Sequence, residues 1–308
     1  MRHRILLGVL FLCVAWPVAG AQSDSITAYV QAHQREMVST LIDFASIPNV
    51  KGDAANLQRN ARFAGDMLAA RGFVVDLVNT SGAPLVVASL QVPGAQRTLL
   101  LYAHYDGQPV DPAKWKQATP FTPVLRTGRL DAQNVRDIPD PKALTQFDPE
   151  WRLYARAAAD DKAPIVALAT ALDALKASGM TPAWNLKILL DGEEESGSPG
   201  LTAAADALRG RLASDLTLML DAPAHPSGRP TLVFGVRGNV TFELTVFGAK
   251  DELHSGHYGN WAPNPALRLA QLLASMKDAR GRVLIKGFYD GIAPVVGRRT
   301  GPAARGSR

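Results

Sequence analysis

Three apolar segments of the sequence each run directly into residues that bind metal ions. The polar ends are His104-Tyr-Asp106, the acidic run 191–195 (DGEEE) and Asp221. A fourth acidic pair, Asp160-Asp161, precedes an apolar stretch with helical character. Imidazole and carboxylate groups together suit Zn²⁺, Mn²⁺ or Co²⁺, and a site of this kind does not need thiolates.

Each of these clusters also has an ordinary explanation. A His-x-Asp pair occurs often by chance, and Asp160-Asp161 could cap the helix that follows it. The acidic run 191–195 and Asp221 could be solvated turns, with Asp191 and Glu193 having no further role. Because ligand sites in open α/β sheets lie beyond the carboxyl ends of the strands, the joint occurrence favours one shared crevice.

The hydrophobic pattern along the first 230 residues alternates between helices and buried strands. Helical spacing covers 25–46, 55–71 (followed by Gly72 as a helix end), 163–177 and 199–212. Apolar strand patterns cover 73–78, 84–92, 98–103, 185–191 and 215–220. Residues 107–150, rich in Pro, Gly and Asp, predict a long loop. The alternation predicts an α/β fold, a layered structure with a mostly parallel sheet.

The pattern of hydrophobic residues changes near Thr231, and we predict that a second, smaller α+β domain begins there. Residues 231–236 (TLVFGV) and 239–248 (NVTFELTVFG) have strand patterns, and 264–276 has a helical one. We therefore divide the chain into a domain at 22–230, a partial domain at 231–295 and a tail at 296–308. The tail is rich in Gly and Arg without any period, so we expect it to be disordered.

The N-terminus has the organisation of a secretory signal peptide. A basic start precedes a short apolar segment, and Ala19-Gly20-Ala21 resembles a cleavage site before Gln22. The apolar segment is shorter than the ~20 residues of a spanning helix, so we expect no stable membrane anchor. Residues 1–21 thus predict export, to the periplasm or the medium. Cys13, the only cysteine, would leave with the signal.

The overall charge gives little support to a nucleic-acid partner. The formal net charge is +5 and the pI is about 9.4. The basic residues are scattered, however, and no basic stripe is interleaved with aromatic residues. We therefore expect no nucleic-acid binding.

Four segments together resemble one family, the di-zinc metallopeptidases that include carnosinase, aminoacylase and succinyl-diaminopimelate desuccinylase. The closest similarity is to the dipeptidase branch. The segments are LLLYAHYDGQPVDPAKW (99–115), LYARAAADDKAPI (153–165), LLDGEEESGSPGL (189–201) and GAKDELHSGHYGN (248–260). The resemblance implies a layered zinc-peptidase catalytic domain and a dimerisation, or lid, domain.

The resemblance also implies metal ligands for two zinc ions per subunit, with Mn²⁺ or Co²⁺ as alternatives. His104, Asp160 and Asp221 would hold one ion. Asp160, as the bridge, would hold the second together with Glu195 and a histidine further along the chain. The substrates would be dipeptides or N-acyl amino acids, whose amide bond is hydrolysed by a water held between the metals.

Three further residues receive roles from the resemblance. Asp106 would orient His104, and Glu194 would be the general base that removes a proton from the water. His254 would stabilise the oxyanion in the active site of the other subunit of a homodimer.

The sequence departs from the family pattern at two places. Ala155, Ala157 and Ala163 stand where the family has glycine, and alanine is costly wherever the backbone needs a positive φ. No histidine follows His257, so the chain resembles a truncated member that lacks its last ligand. His225 and His257 are the available substitutes.

The missing ligand leaves a second hypothesis open, an inactive remnant that binds at most one metal ion. We expect residues 22–308 alone to hydrolyse dipeptides or N-acyl amino acids poorly or not at all. A solute-binding protein of the cell envelope is a third interpretation, but such a protein would have no use for Glu194-Glu195.

Overall fold

A computed structural model describes residues 19–222, 225 and 227–292. The predicted signal segment and tail lie almost wholly outside these residues. The chain divides into two compact units, Met1–Pro230 and Thr231–Arg308. Among the described residues, no helix is both long enough and apolar enough to cross a membrane.

The first unit begins with three helices. They are α1 (Ala19–Ala32), α2 (Gln34–Ala45) and α3 (Ala54–Ala69). The first predicted helix is thus two, separated at His33, whose ring stacks on Tyr29 and whose Nδ1 lies 2.8 Å from the Tyr29 carbonyl. Asp53 caps α3 by accepting the Asn56 N–H. Gly72 has a φ of +88°, which suits glycine, just beyond the end of α3.

Five strands of the first unit form one sheet. They are β1 (Val74–Val78), β2 (Leu85–Leu90), β3 (Thr98–His104), β6 (Asn185–Asp191) and β7 (Leu216–Met219). The order across the sheet is β1-β2-β6-β3-β7. β3 is parallel to both β6 and β7, whereas β2 runs antiparallel to its two neighbours. The prediction of an α/β fold with a mostly parallel sheet is confirmed.

Helices cover both faces of this sheet. On one face, α2, α3 and α4 (Ala163–Ala177) contribute Phe44, Leu68 and Ile165 to the larger core cluster. On the other face, Leu208 of α5 (Pro199–Leu212) packs with the smaller cluster, which includes Leu85 and Leu189. Alternate residues of each strand therefore face opposite cores, and the central strands are apolar over most of their length.

The long segment predicted as a loop is largely irregular and is organised around Arg126. Only a two-stranded ribbon, β4 (Val124–Arg126) with β5 (Arg152–Tyr154), interrupts it besides short 3₁₀ turns. The Arg126 side chain is buried, pairs with Asp137 at 2.8 Å and lies over the Tyr154 ring. These contacts of the buried Arg126 side chain hold the parts of the segment together.

The second unit contains the predicted helix but neither predicted strand. Helix α7 (Pro265–Ser275) is capped by Asn264, and a single turn, α6 (Ser255–Tyr258), precedes it. Residues 231–249 form no strand ladder, so the strand predictions for 231–236 and 239–248 are wrong for this structure. A strand forms only where a neighbour satisfies its N–H and C=O groups, and none pairs with this segment.

Candidate metal centre

The sheet brings three of the predicted ligand clusters to one edge. β3 and β6 are parallel and in register, with His104 opposite Asp191. β7 lies on the other side of β3, and the Leu220 N–H donates to the Tyr102 carbonyl at 2.8 Å. Because the three strands end at the same edge, His104, the 193–195 turn and Asp221 lie next to one another.

His104 is the centre of the site. Its side chain is 1% exposed, and Nε2 lies 2.9 Å from Asp160 Oδ1 and 3.9 Å from Asp221 Oδ2. Nδ1 lies 3.2 Å from Asp106 Oδ1, although the angle falls short of a hydrogen bond. Burial acts to lower the pKa of His104, but the carboxylates of Asp106, Asp161 and Asp221 raise it to about 9. The imidazole is therefore surrounded by negative charge.

The two carboxylates of the Glu-Glu pair complete two overlapping groups of donors. One ligand atom from each of His104, Glu194 and Asp221 lies within 4.8 Å of the others, and so do atoms of His104, Asp160 and Glu195. All four residues predicted as metal ligands and the predicted base Glu194 are thus brought together. Burial raises the pKa of Glu194, with Asp221, Glu195 and Asp106 adding to this effect and His104 opposing it.

Asp106 holds the turn that carries the two glutamates. Its two carboxylate oxygens accept the backbone N–H groups of Glu194 and Glu195, each at 3.2 Å. The turn also depends on Gly192, where a Cβ would overlap the Tyr105 side chain. Asp106 therefore acts on the glutamates at least as directly as on His104, the only partner that the sequence suggested.

Asp160 reaches the site through a short, irregular turn before α4. Ala158–Lys162 forms a π-type turn in which Asp160 and Asp161 have non-helical dihedrals, and the peptide bond between them is cis. Asp161 is buried and accepts the His104 backbone N–H at 3.1 Å, so it does not cap the helix. Burial raises the pKa of Asp161 to about 7, although the His104 backbone N–H and ring charge act to lower it.

Lys162 holds the same turn in place through hydrogen bonds to backbone carbonyls near the end of α2. Its side chain is fully buried, and Nζ donates to the Phe44 carbonyl at 2.8 Å and to the Ile47 carbonyl at 2.9 Å. Burial lowers the pKa of Lys162 well below its ordinary value. The sequence suggested only a capping role for Asp161, and no role for Lys162 or for Gln108, whose amide donates to Glu195. Only the motif Asp-Asp-Lys-Ala at 160–163 could have indicated a role for Asp161 and Lys162.

The other predicted residues lie elsewhere in the chain. His254 caps α6 in the second unit, where it accepts the Gly256 N–H at 3.1 Å, and its ring lies 4.8 Å from that of His257. His225 is exposed and pairs with Ser227. Of the three alanines in glycine positions, only Ala157 has a positive φ, at 57°.

The donor set fits divalent transition metals. One imidazole with three or four carboxylates around it makes a hard-to-borderline site, and the excess negative charge calls for a cation. Without such a cation, the crowded carboxylates would repel one another.

Comparison with known proteins now assigns the chain. The model of peptidase family M20/M25/M40 matches residues 100–287. The chain belongs to this family. The human Beta-Ala-His dipeptidase is 26% identical over 88% of this chain and 53% of its own length. The Cys-Gly metallodipeptidase of Candida albicans is 28% identical over 81% of this chain and 51% of its own length.

Solved structures of the M20 family share the fold. An M20 family metallo-carboxypeptidase from Sulfolobus solfataricus superposes with a TM-score of 0.63 at 31% identity, over 84% of this chain and 54% of that one. The chain thus spans about half the length of the curated relatives and of the solved structure that it matches. The recognition made from the four sequence segments is confirmed.

Proposed function

We propose that this M20 chain is a metal-dependent hydrolase of the peptide bond in dipeptides, or of the amide bond in N-acyl amino acids. One observation carries the proposal: His104, Asp160, Glu195 and Asp221 converge around Glu194 at one edge of the sheet. The names of the relatives, which describe dipeptidases, support the same substrate class.

In this proposal the residues of the site have separate roles. His104, Asp160, Asp221 and Glu195 would hold up to two divalent ions, of which Zn²⁺, Mn²⁺ and Co²⁺ suit the donors. When bound, such ions polarise a carbonyl group and make a water more acidic. Glu194 takes a proton from the attacking water at its carboxylate and returns it to the leaving amine. Asp106 keeps Glu194 and Glu195 in place through their backbone N–H groups.

The proposal extends to assembly and location. We propose that the chain is exported after cleavage before Gln22 and works as a homodimer in which His254 serves the partner's site. The intact mass of the secreted form tests the cleavage, and light scattering tests the dimer. A precursor that keeps residues 1–21, or a stable monomer, would contradict the respective part.

The experiment loads chelator-stripped full chain with Zn²⁺, Mn²⁺ or Co²⁺, counts bound ions, and assays a panel of dipeptides. Wild type should hold about one ion per chain or more, since three protein ligands suffice for measurable affinity. His104→Ala should lose this ion. In an active form of the protein, Glu194→Gln should keep its ions and lose turnover by orders of magnitude, because a general base contributes about 10²–10⁴-fold.

Two outcomes would count against the proposal, each in its own way. A wild-type chain that binds no ion would remove the metal site altogether. Ions bound without any turnover would favour the alternative of a non-catalytic metal-binding chain. As a matched control, Asp206→Asn changes an exposed carboxylate on α5 that belongs to neither donor group, and it should alter neither ion content nor rate.

A further inference from the structure

The loop after β3 holds Glu195 at two points. Asp106 Oδ2 accepts the Glu195 backbone N–H at 3.2 Å. Two residues further on, the Gln108 side-chain amide Nε2 donates to Glu195 Oε2, across 87 residues of sequence. The backbone and the carboxylate of Glu195 are thus both fixed by one short stretch of chain.

The backbone that presents Gln108 is itself fixed. The Gly107 N–H donates to the Asn49 carbonyl at 3.0 Å, and Val50 pairs with Gly107 in a parallel bridge. Asn49 is fully buried, and its Nδ2 donates to the Tyr105 carbonyl at 2.7 Å. The Gln108 amide is therefore offered from a rigid support, although the residue itself is exposed.

An exposed glutamine gains little from one hydrogen bond, because ordering its side chain costs up to about 1.5–2 kcal/mol. The contact makes more sense through its effect on Glu195. A carboxylate has two oxygens and rotates freely about its last bond. A lysine or arginine at this place would neutralise the charge of the carboxylate. A neutral amide that donates to Oε2 orients the carboxylate and leaves its charge unchanged.

We propose that Gln108 is a positioning residue. It holds the Glu195 carboxylate toward His104 and Asp160 and so sets the affinity of these three residues for a metal ion. This inference rests on the proposed metal site. Residues that hydrogen-bond a metal ligand typically change metal affinity by about 10–100-fold when they are removed.

The experiment is a double-mutant cycle on metal affinity in the full chain, measured by calorimetric titration of Zn²⁺ into chelator-stripped protein. Gln108→Met keeps the length of the side chain and removes the donor. It should weaken binding by about 10–100-fold. Glu195→Ala should weaken binding at least as much, and adding Gln108→Met to it should have no further effect, because the two residues act as one unit.

A spectroscopic measurement separates positioning from simple structural support. The visible absorption bands of bound Co²⁺ should change in Gln108→Met, while the metal-free variant should unfold at the wild-type denaturant concentration. The control is Gln96→Met, an exposed glutamine before β3, which should change neither.

Several results would overturn the inference. They are wild-type affinity in Gln108→Met, additive effects of the two substitutions, or a loss of stability in the metal-free variant with unchanged Co²⁺ bands. A wild-type chain that binds no metal would overturn the proposed function and this inference with it.

Discussion

Residues 98–104 and 231–249 have similar strand-like sequences but different structures. The first segment is β3, which pairs with β6 and β7 and buries most of its side chains. The second forms no strand, and it leaves Phe234 97% and Val236 95% exposed. An apolar strand pattern therefore describes a segment suited to a sheet, but the strand forms only where a neighbouring strand pairs with it.

The largest expected difference between the two segments is in amide hydrogen exchange. Amides in β3 should exchange only when the first unit unfolds, and those in 232–249 should exchange close to the unprotected rate. For a unit of ordinary stability this means rates that differ by more than about a thousandfold. Exchange measured by mass spectrometry on the metal-free chain checks this. Equal protection in both segments would show that 231–249 is paired in solution.

A matched pair of leucine truncations should give the next largest effect. Leu190 in β6 is fully buried, and Leu190→Ala should lower the free energy of unfolding by about 2–5 kcal/mol. Leu232 is 69% exposed, and Leu232→Ala should change it by less than about 0.5 kcal/mol. Denaturant titration of both variants provides the measurement. A large loss in Leu232→Ala would mean that this segment is buried in solution.

The sequence predicted most of the first unit, because its signals are local and repeated. β3 and β6 end at their polar residues as expected, β7 ends two residues before Asp221, and α4 covers the predicted range. The contacts that fix the site were not predictable, since Gln108 meets Glu195 and Asp161 meets His104 across 87 and 57 residues. The strand predictions for 231–236 and 239–248 were wrong for the same reason, because strand pairing depends on residues that are distant in the sequence.

The smallest expected effect concerns a single backbone position beside the site. Ala157 has a φ of 57°, a conformation that costs an L-residue about 1–2 kcal/mol, whereas glycine adopts it freely. After the greater entropy of unfolded glycine is subtracted, Ala157→Gly should stabilise the first unit by up to about 1 kcal/mol.

The control for this prediction is the same substitution in a helix. Ala167 is exposed within α4, and Ala167→Gly should destabilise the unit by about 1 kcal/mol. Denaturation midpoints should therefore move in opposite directions for the two variants. If both fell, the turn at Ala157 would gain nothing from glycine.

The buried amine of Lys162 has a consequence for the order in which the molecule assembles. Its two carbonyl partners, at Phe44 and Ile47, lie 118 and 115 residues earlier in the chain. The turn that carries Asp160 is therefore fastened to the end of α2, and closing so long a loop is entropically costly before the core exists. We therefore expect the metal-binding geometry to form only after the end of α2 and the start of α4 have packed together.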